Sequence, residues 1–223
     1  MRLRRIIIDK DSKGTIIGLW LVLAVLAALA CLFIGCLWIR IPVLLLLLAL
    51  AFFVFWFHRV PDRDITEGDG RLVTSVADGK VVIVERVYEK EYFKSDCIQV
   101  SVYMDFWDVH TNFWPMSGRI SYYKYHPGRY LLAFLPKASE KNEHSSTAIA
   151  NQHGEIFFKQ IAGTFARRIV CYSKEGDQVE RGKQCGIIKF GSRIDIFLPL
   201  DAEILVSEGE FTKACITPIA RLK

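Results

Sequence analysis

The chain has 223 residues, 52% of them hydrophobic, and a formal net charge of +5. This length allows one domain or two small ones, although most of the apolar excess lies before residue 58. The charge is modest and no basic stripe with interleaved aromatics is present, which argues against a nucleic-acid partner.

Two uncharged apolar segments, residues 15–39 and 41–57, dominate the N-terminal quarter and are interrupted only by Arg40 and the nearby Pro42. As helices they would span roughly 37 and 26 Å, against a hydrocarbon core of about 30 Å. One helix through both segments would overshoot the bilayer and bury Arg40 in it. The pattern therefore predicts a helical hairpin that turns between Gly35 and Pro42. A shallow re-entrant hairpin is the alternative.

Basic residues flank both ends of this hairpin: Arg2, Arg4, Arg5, Lys10 and Lys13 before it, and Arg59 and Arg63 after it. The positive-inside tendency predicts that the N-terminus and the remaining domain lie on the cytoplasmic side of the cell (inner) membrane, in contact with anionic lipid. The six cysteines are scattered without metal-like spacing, so we interpret them as small hydrophobes in a reducing compartment and expect no metal.

The N-terminal segment and hairpin (1–59) are followed by a polar connector (60–71). Residues 72–223 then have the sequence pattern of a β domain. Short runs rich in β-branched and aromatic residues alternate with turn signals. They are 73–76, 80–84, 98–103, 118–125, 130–135, 147–150, 155–160 and 187–198, and only 161–172 is compatible with either a helix or a strand. Two similar turns, at 175–182 and 208–214, resemble those of lipoyl- and biotinyl-type barrel-sandwich domains. The prediction is a mostly β, barrel-sandwich-like domain behind a helical hairpin.

Two short segments carry candidate acid–base residues. Asp78 lies in a tight turn between two predicted strands, where an aspartate usually holds its own backbone. Asp108 and His110 are two residues apart, so in an extended segment their side chains share a face. Aromatic neighbours there can lower the local dielectric and shift both pKa values. The competing interpretation is a loop histidine with a structural hydrogen bond.

Candidate ligand-binding residues lie in two polar stretches. The segment 136–144, which includes Lys137, Asn142 and Glu143, is long enough to hold a lipid headgroup, although a solvated loop explains it equally well. Arg167 and Arg168 follow two small residues, and paired guanidinium groups suit phosphate recognition.

Gly191 and Ser192 interrupt the strand-like run from 187 to 198. The Ser192 hydroxyl can attack the uncrowded Gly191 carbonyl to form an ester, and glycine permits the backbone geometry that this attack needs. Taken alone, a bulge in a strand is the simpler explanation of the pair.

Seven segments together, in order, resemble the short, membrane-anchored class of phosphatidylserine decarboxylase proenzymes over nearly the whole chain. Besides the apolar hairpin, they are 76–81, 108–110, 125–128, 136–143, 160–170 and 190–193.

The resemblance implies that the chain cuts itself between Gly191 and Ser192 into a β chain (1–191) and an α chain (192–223) that stay together as a heterodimer. Ser192 would become a covalent pyruvoyl group, the cofactor that forms a Schiff base with phosphatidylserine and releases CO₂ and phosphatidylethanolamine. It also implies that Asp78 orients a histidine that deprotonates Ser192.

The chain departs from the family pattern at two positions. Longer members carry two histidines three apart, whereas this chain has His110 and then Phe113, so we predict that His110 serves both maturation and decarboxylation, with His126 as the alternative. His144 stands where arginine is more frequent. Two rival functions stay open: a non-enzymatic membrane-tethered β-barrel interaction module, and a pyruvoyl decarboxylase of another substrate, such as a soluble amino acid or an ether-linked serine lipid. Higher oligomers are compatible with either.

Overall fold

A computed structural model describes residues 6–129, 142–163, 169–188 and 192–223. The protein is mostly β, with 43% strand and 23% helix, and its sheet curls into a half-barrel, which confirms the predicted fold class. The chain divides into two compact units, Met1–Asp62 and Arg63–Lys223.

The first unit contains the two apolar helices, α1 (Lys13–Phe33) and α2 (Leu37–Phe57). A short 3-10 helix, Lys10–Ser12, leads into α1, and strand β1 (Ile6–Ile8) pairs antiparallel with β2 (Arg59–Pro61). By length and composition both helices are long and apolar enough to cross a membrane.

The break between the helices is shorter than the predicted turn and lies at residues 34–36. Residues 37–39, assigned above to the first segment, belong to α2, and so do Arg40 and Pro42. Pro42 lies in the second turn of α2, where its missing N–H removes one backbone hydrogen bond. The Arg40 guanidinium reaches back 3.5 Å to the carbonyl oxygen of Cys31, near the C-terminal end of α1, where a positive charge is favourable.

The second unit is built from the remaining strands. They are β3 (Leu72–Thr74), β4 (Gly79–Glu89), β5 (Ser95–Met104), β6 (Thr111–Phe113), β7 (Gly118–His126), β8 (His144–Asn151), β9 (Gly154–Ala162), β10 (Ile169–Cys171), β11 (Gln178–Val179), β12 (Gln184–Ile188), β13 (Ser192–Leu198), β14 (Glu203–Ile204), β15 (Phe211–Thr212) and β16 (Pro218–Arg221).

Eight of these strands form one antiparallel sheet in the order β11-β7-β8-β9-β13-β5-β4-β15. Two three-stranded sheets, β10-β12-β6 and β14-β16-β3, accompany it. Strand β13 lies inside the large sheet, where Ser192 is paired with Met104 of β5 on one side and with Ala162 of β9 on the other. The segment predicted to follow the cleavage site is therefore a central strand.

Apolar side chains pack on both faces of the large sheet, in a main core on one face and in a smaller cluster on the other. The main core contains Ile194 and Ile196 of β13 together with Met104 and Phe158. Because side chains alternate along a strand, the intervening residues of β13 point to the opposite face. There Phe197 packs with Phe157, Cys97 and Ala148 in a smaller cluster.

The segment 161–172, left open between helix and strand, contributes strand where the structure describes it, and one predicted strand falls outside the described residues. Ile161 and Ala162 end β9, and 169–171 form β10. Both segments are rich in β-branched residues that pack on neighbouring strands, so sheet pairing overrides the weak helical pattern. The strand predicted at 130–135 lies outside the described residues.

Candidate active site

Ser192 is fully buried at the start of β13, and its side chain faces the main core. Its Oγ lies 3.6 Å from the Met104 sulfur, a weak hydrogen-bond acceptor. Gly191, its predicted reaction partner, lies outside the described residues. The burial of Ser192 means that few waters compete for its hydroxyl.

His110 is also fully buried, immediately before β6. Its Nδ1 lies 3.1 Å from the carbonyl oxygen of Asp108. Because a carbonyl only accepts hydrogen bonds, Nδ1 carries the hydrogen, and in the neutral ring Nε2 is then the nitrogen that can take up a proton. The backbone of His110 also contacts the end of β12, since the Ile188 amide donates to the His110 carbonyl at 3.2 Å.

The segments of His110 and Ser192 meet at Met104. The Asn112 side-chain amide, two residues after His110, lies 3.8 Å from the Met104 sulfur that Ser192 also contacts. Gln160 donates to the Asn112 side-chain oxygen at 2.8 Å, and Ser145 donates to Gln160 at 2.9 Å. A buried polar chain thus crosses the core and ends beside Ser192. Sequence reasoning missed it, although a glutamine within the apolar strand 156–162 is a detectable signal.

Asp78 is held by an arginine rather than by the predicted histidine. Both carboxylate oxygens accept hydrogen bonds from Arg63 at 2.5 Å, and Oδ1 also accepts from the Ala214 amide at 2.9 Å. Among the described residues these are its hydrogen-bond partners, and His110 is not one of them. The side chains of Arg63 and Asp78 are only 9% and 13% exposed. The structure thus pairs Asp78 with Arg63, and the orientation of a histidine by Asp78 stays a prediction.

The replacement of a histidine by Phe113 provides a physical reason for this pairing. The Arg63 guanidinium lies over the Phe113 ring, 5.9 Å from its centroid. A phenyl face attracts a cation weakly but offers no acceptor, so Asp78 is the partner that Arg63 can bind through two parallel hydrogen bonds. The sequence interpretation had assigned Arg63 only to the basic flank of the membrane hairpin.

The Asp78 turn approaches the same end of β5 as Ser192. Gly79 adopts φ 148°, and a Cβ there would lie 2.1 Å from the Tyr103 carbonyl oxygen, so only glycine fits. Lys80 pairs with Tyr103, and the next residue, Met104, pairs with Ser192. Strand β5 therefore lies between β13, which carries Ser192, and β4, which begins at the Asp78 turn.

Asn142 and Glu143 fix the end of β9 on the other side of Ser192. The Asn142 side-chain amide donates to the Ala162 carbonyl at 2.7 Å, and the Ala162 amide donates to the Glu143 carbonyl at 2.9 Å. Both residues are buried. In the structure these contacts are backbone supports, and headgroup contact by either residue stays a prediction. Lys137, Arg167 and Arg168 lie outside the described residues.

The buried cysteines near the site have pKa values that oppose nucleophilic chemistry. Burial raises the pKa of Cys215 to about 12, and this effect outweighs the lowering by Arg63, while Asp78 adds a smaller upward contribution. Burial likewise raises the pKa of Cys185 well above its usual value. A thiol must lose its proton to attack, so these side chains are packing groups.

Comparison with known proteins identifies the family of this chain. Residues 50–220 match the model of the family described as phosphatidylserine decarboxylase. A phosphatidylserine decarboxylase proenzyme of Amoebophilus asiaticus is 47% identical over 174 residues, which covers 78% of this chain and 77% of the relative. Those of Cytophaga hutchinsonii and Syntrophus aciditrophicus are 43% and 44% identical, over 80% and 75% of this chain and 81% and 78% of each relative. The chain belongs to the phosphatidylserine decarboxylase family.

Proposed function

We propose that this protein is a phosphatidylserine decarboxylase that matures by cutting its own chain between Gly191 and Ser192. Beyond family membership, the observation that carries the proposal is the position of Ser192 at the first residue of the central strand β13. A cut before this residue leaves β13 intact and fixed by β5 and β9 on both sides. The new N-terminus is then held at a buried position instead of being released.

In the proposed maturation, Ser192 Oγ attacks the Gly191 carbonyl carbon, and the peptide bond between them is exchanged for an ester. Elimination across the Cα–Cβ bond of Ser192 then releases the Gly191 carboxylate and leaves dehydroalanine at position 192. Water replaces the nitrogen, ammonia leaves, and a pyruvoyl group remains. The products are a β chain of residues 1–191 and an α chain of residues 192–223.

His110 is the proposed base for Ser192. Its Nδ1 hydrogen is engaged by the Asp108 carbonyl, so Nε2 is left as the proton acceptor. Asp78 supports the site indirectly in this account, because its ion pair with Arg63 fixes the turn that packs against β5.

The residues around position 192 suit a reactive carbonyl. A pyruvoyl group supplies the electrophilic carbonyl that serves as the electron sink for decarboxylation. Met104 and Ala162, which pair with Ser192, are fully buried, so bulk water has little access to this end of β13. Asn112, bonded to Gln160, is a buried donor beside Met104 and is suited to orient a polar substrate group.

The substrate we propose is a lipid with a serine headgroup, which yields phosphatidylethanolamine and CO₂. The two apolar helices support membrane association, and the flanking basic residues favour the cytoplasmic side of the inner membrane. Tethering a site near its lipid substrate raises the effective substrate concentration. Lys137, Arg167 and Arg168 are the proposed contacts for the phosphate.

The substrate assignment is tested by measuring CO₂ release from carboxyl-labelled substrates with the purified protein in detergent. We expect release from phosphatidylserine micelles and none above background from free serine or from a short-chain amide of serine. Comparable rates on free serine would contradict the lipid assignment. A diether serine lipid assayed in parallel shows whether the protein distinguishes ester-linked from ether-linked lipids.

A further inference from the structure

A second polar site lies on the sheet face opposite Ser192. Direct pairing places His144, Ile161 and Arg193 on one rung, while the adjacent rung contains Ala162 and Ser192. Neighbouring rungs point to opposite faces of a sheet. His144 and Arg193 line a pocket of about 530 Å³ together with Glu91, His126 and Lys159. This site is therefore separate from the proposed catalytic centre.

Three side chains converge in this pocket. His126 and His144 are directly paired on β7 and β8, and their rings stack 4.4 Å apart at 13°. Glu91 comes from the connection between β4 and β5 and lies 2.6 Å from His126 Nε2. One potential ligand atom from each of the three residues lies within 4.8 Å of the other two.

Two of the three potential ligands, His144 and Glu91, are oriented by further contacts. His144 Nδ1 donates to the Asn142 carbonyl at 2.7 Å, which leaves Nε2 as the basic nitrogen of the neutral ring. A backbone carbonyl in this role is a frequent partner of metal-binding histidines. The Glu91 carboxylate accepts hydrogen bonds from Ser146 at 3.0 Å and from Tyr122 at 3.2 Å.

The backbone that presents Glu91 is also fixed. The buried Glu89 carboxylate accepts hydrogen bonds from the amides of Glu91, Tyr92 and Phe93 at 2.7–2.9 Å. Tyr92 stacks on Phe157 in the smaller hydrophobic cluster. Glu91 is thus carried on a packed turn.

We propose that Glu91, His126 and His144 form a binding site for a divalent d-block cation of the Zn²⁺ type. Two imidazole nitrogens and one carboxylate oxygen are a ligand set that Zn²⁺ accepts, with the pocket leaving a further position for water. The ion takes the place of the hydrogen between His126 Nε2 and Glu91 Oε1, and the His126 ring then binds as its Nδ1–H tautomer. No oxidation or reduction is involved.

Lys159 is the feature that opposes this ion. Its ammonium lies 2.8 Å from Glu91 Oε2 and 3.5 Å from Glu89. Two carboxylates therefore face one ammonium, and the Arg193 guanidinium that lines the same pocket is paired with Asp195. The ion binds through Oε1, the oxygen on the side of His126, while Oε2 keeps Lys159 and Ser146.

The wide spacing of these ligands explains why no metal site was predicted from the sequence. The ligands are separated by 35 and 18 positions, and only the pairing of β7 with β8 and the turn after β4 bring them together. The ion would join the β4–β5 connection to the neighbouring strands β7 and β8, so we assign it a stabilising role and not a step in decarboxylation.

The test is titration of the tag-free full chain, stripped with a chelator, with Zn²⁺ by calorimetry and with Co²⁺ by visible absorption. We expect one saturable equivalent and Co²⁺ bands of a four- or five-coordinate nitrogen–oxygen site. His144→Ala and the isosteric Glu91→Gln should each weaken binding at least about tenfold. The matched control His153→Ala, which removes a histidine from a distant hairpin, should bind like the wild type.

Two further measurements distinguish the loss of the metal site from misfolding of a variant. Lys159→Met removes the opposing ammonium and should tighten Zn²⁺ binding, while thermal melting of every variant confirms folding. The proposal is overturned if the wild type shows no saturable equivalent, or if His144→Ala, Glu91→Gln and His153→Ala bind alike. Chain cleavage, read separately by mass, has no part in these outcomes, so the site and the proposed activity fail or succeed independently.

Discussion

The Arg63 guanidinium holds both carboxylate oxygens of Asp78 at 2.5 Å, and it does so beside the ring of Phe113. A carboxylate expected to orient a histidine is instead engaged by an arginine from the start of the second unit. This pair ties the segment after the helices to the turn that supports the site.

Breaking the Arg63–Asp78 pair should destabilise the folded protein. Arg63→Met leaves a largely buried carboxylate without its cation, so we expect a loss of about 3 kcal/mol in the free energy of unfolding. Denaturant unfolding followed by circular dichroism measures it. Arg86→Met is the matched control. The side chains of Arg86 and Asp96 are 66% and 45% exposed, so their ion pair should contribute less than about 1 kcal/mol. Equal losses of unfolding free energy in the two variants would show that the Arg63–Asp78 pair stabilises the protein no more than an exposed ion pair does.

Removal of His110 should slow maturation. A positioned general base contributes about 10²–10⁴-fold, so His110→Ala should lower the cleavage rate by at least 100-fold. The conversion of newly made chain is followed by gel electrophoresis over time. His126→Ala is the informative control, since His126 contacts Glu91 and His144 on the opposite face of the sheet. Normal cleavage in His110→Ala with slow cleavage in His126→Ala would transfer the role to His126.

The two products should remain associated after the cut. Strands β13, β15 and β16 of the α chain pair with β5 and β9, with β4, and with β3 of the β chain. Ile194, Ile196 and Ile219 are fully buried in the main core, so separation would expose apolar surface. Both pieces should co-elute in native size-exclusion chromatography and separate in guanidinium. Loss of the α chain from the native peak would contradict this arrangement.

The buried thiols should resist alkylation up to mildly alkaline pH. Burial raises the pKa of Cys97 to about 11, with a smaller contribution from Glu89, and raises that of Cys215 to about 12. Because only the thiolate reacts, both stay protonated at pH 8 in the folded state and should label with iodoacetamide only after unfolding. Peptide mass spectrometry reads each site. Rapid labelling of Cys215 in the native protein would show that its environment is open.

The sequence was sufficient for the fold class because strand patterns and turn glycines are local signals. The runs at 98–103, 118–125 and 155–160 coincide with β5, β7 and β9. The hairpin turn was located less well, since Arg40 and Pro42 look like breaks in an apolar segment but are accommodated early in α2. Hydropathy responds to charge, whereas the helix start is set by backbone hydrogen bonding.

The contacts between the candidate site residues could not be predicted from sequence. Ser192 and His110 were proposed from local motifs, and the structure brings their segments together at Met104, while their roles stay predictions. The partner of Asp78 could not be found from sequence, because Arg63 is 15 positions away and resembles a membrane-flanking charge. The buried Asn112–Gln160 contact likewise depends on strand register, which no local pattern specifies.

The most direct test of the account is the intact mass of the purified protein. It is compared with the mass of Ser192→Ala. Ser207→Ala, which alters an exposed serine of the same C-terminal segment, is the matched control. For the wild type and Ser207→Ala we predict two species, residues 1–191 and an α chain of residues 192–223 that is lighter by one ammonia than its serine-terminated form. Ser192→Ala should stay a single 25.5 kDa chain. A wild type that remains one intact chain while it releases CO₂ from phosphatidylserine, or cleavage that persists in Ser192→Ala, would contradict the account.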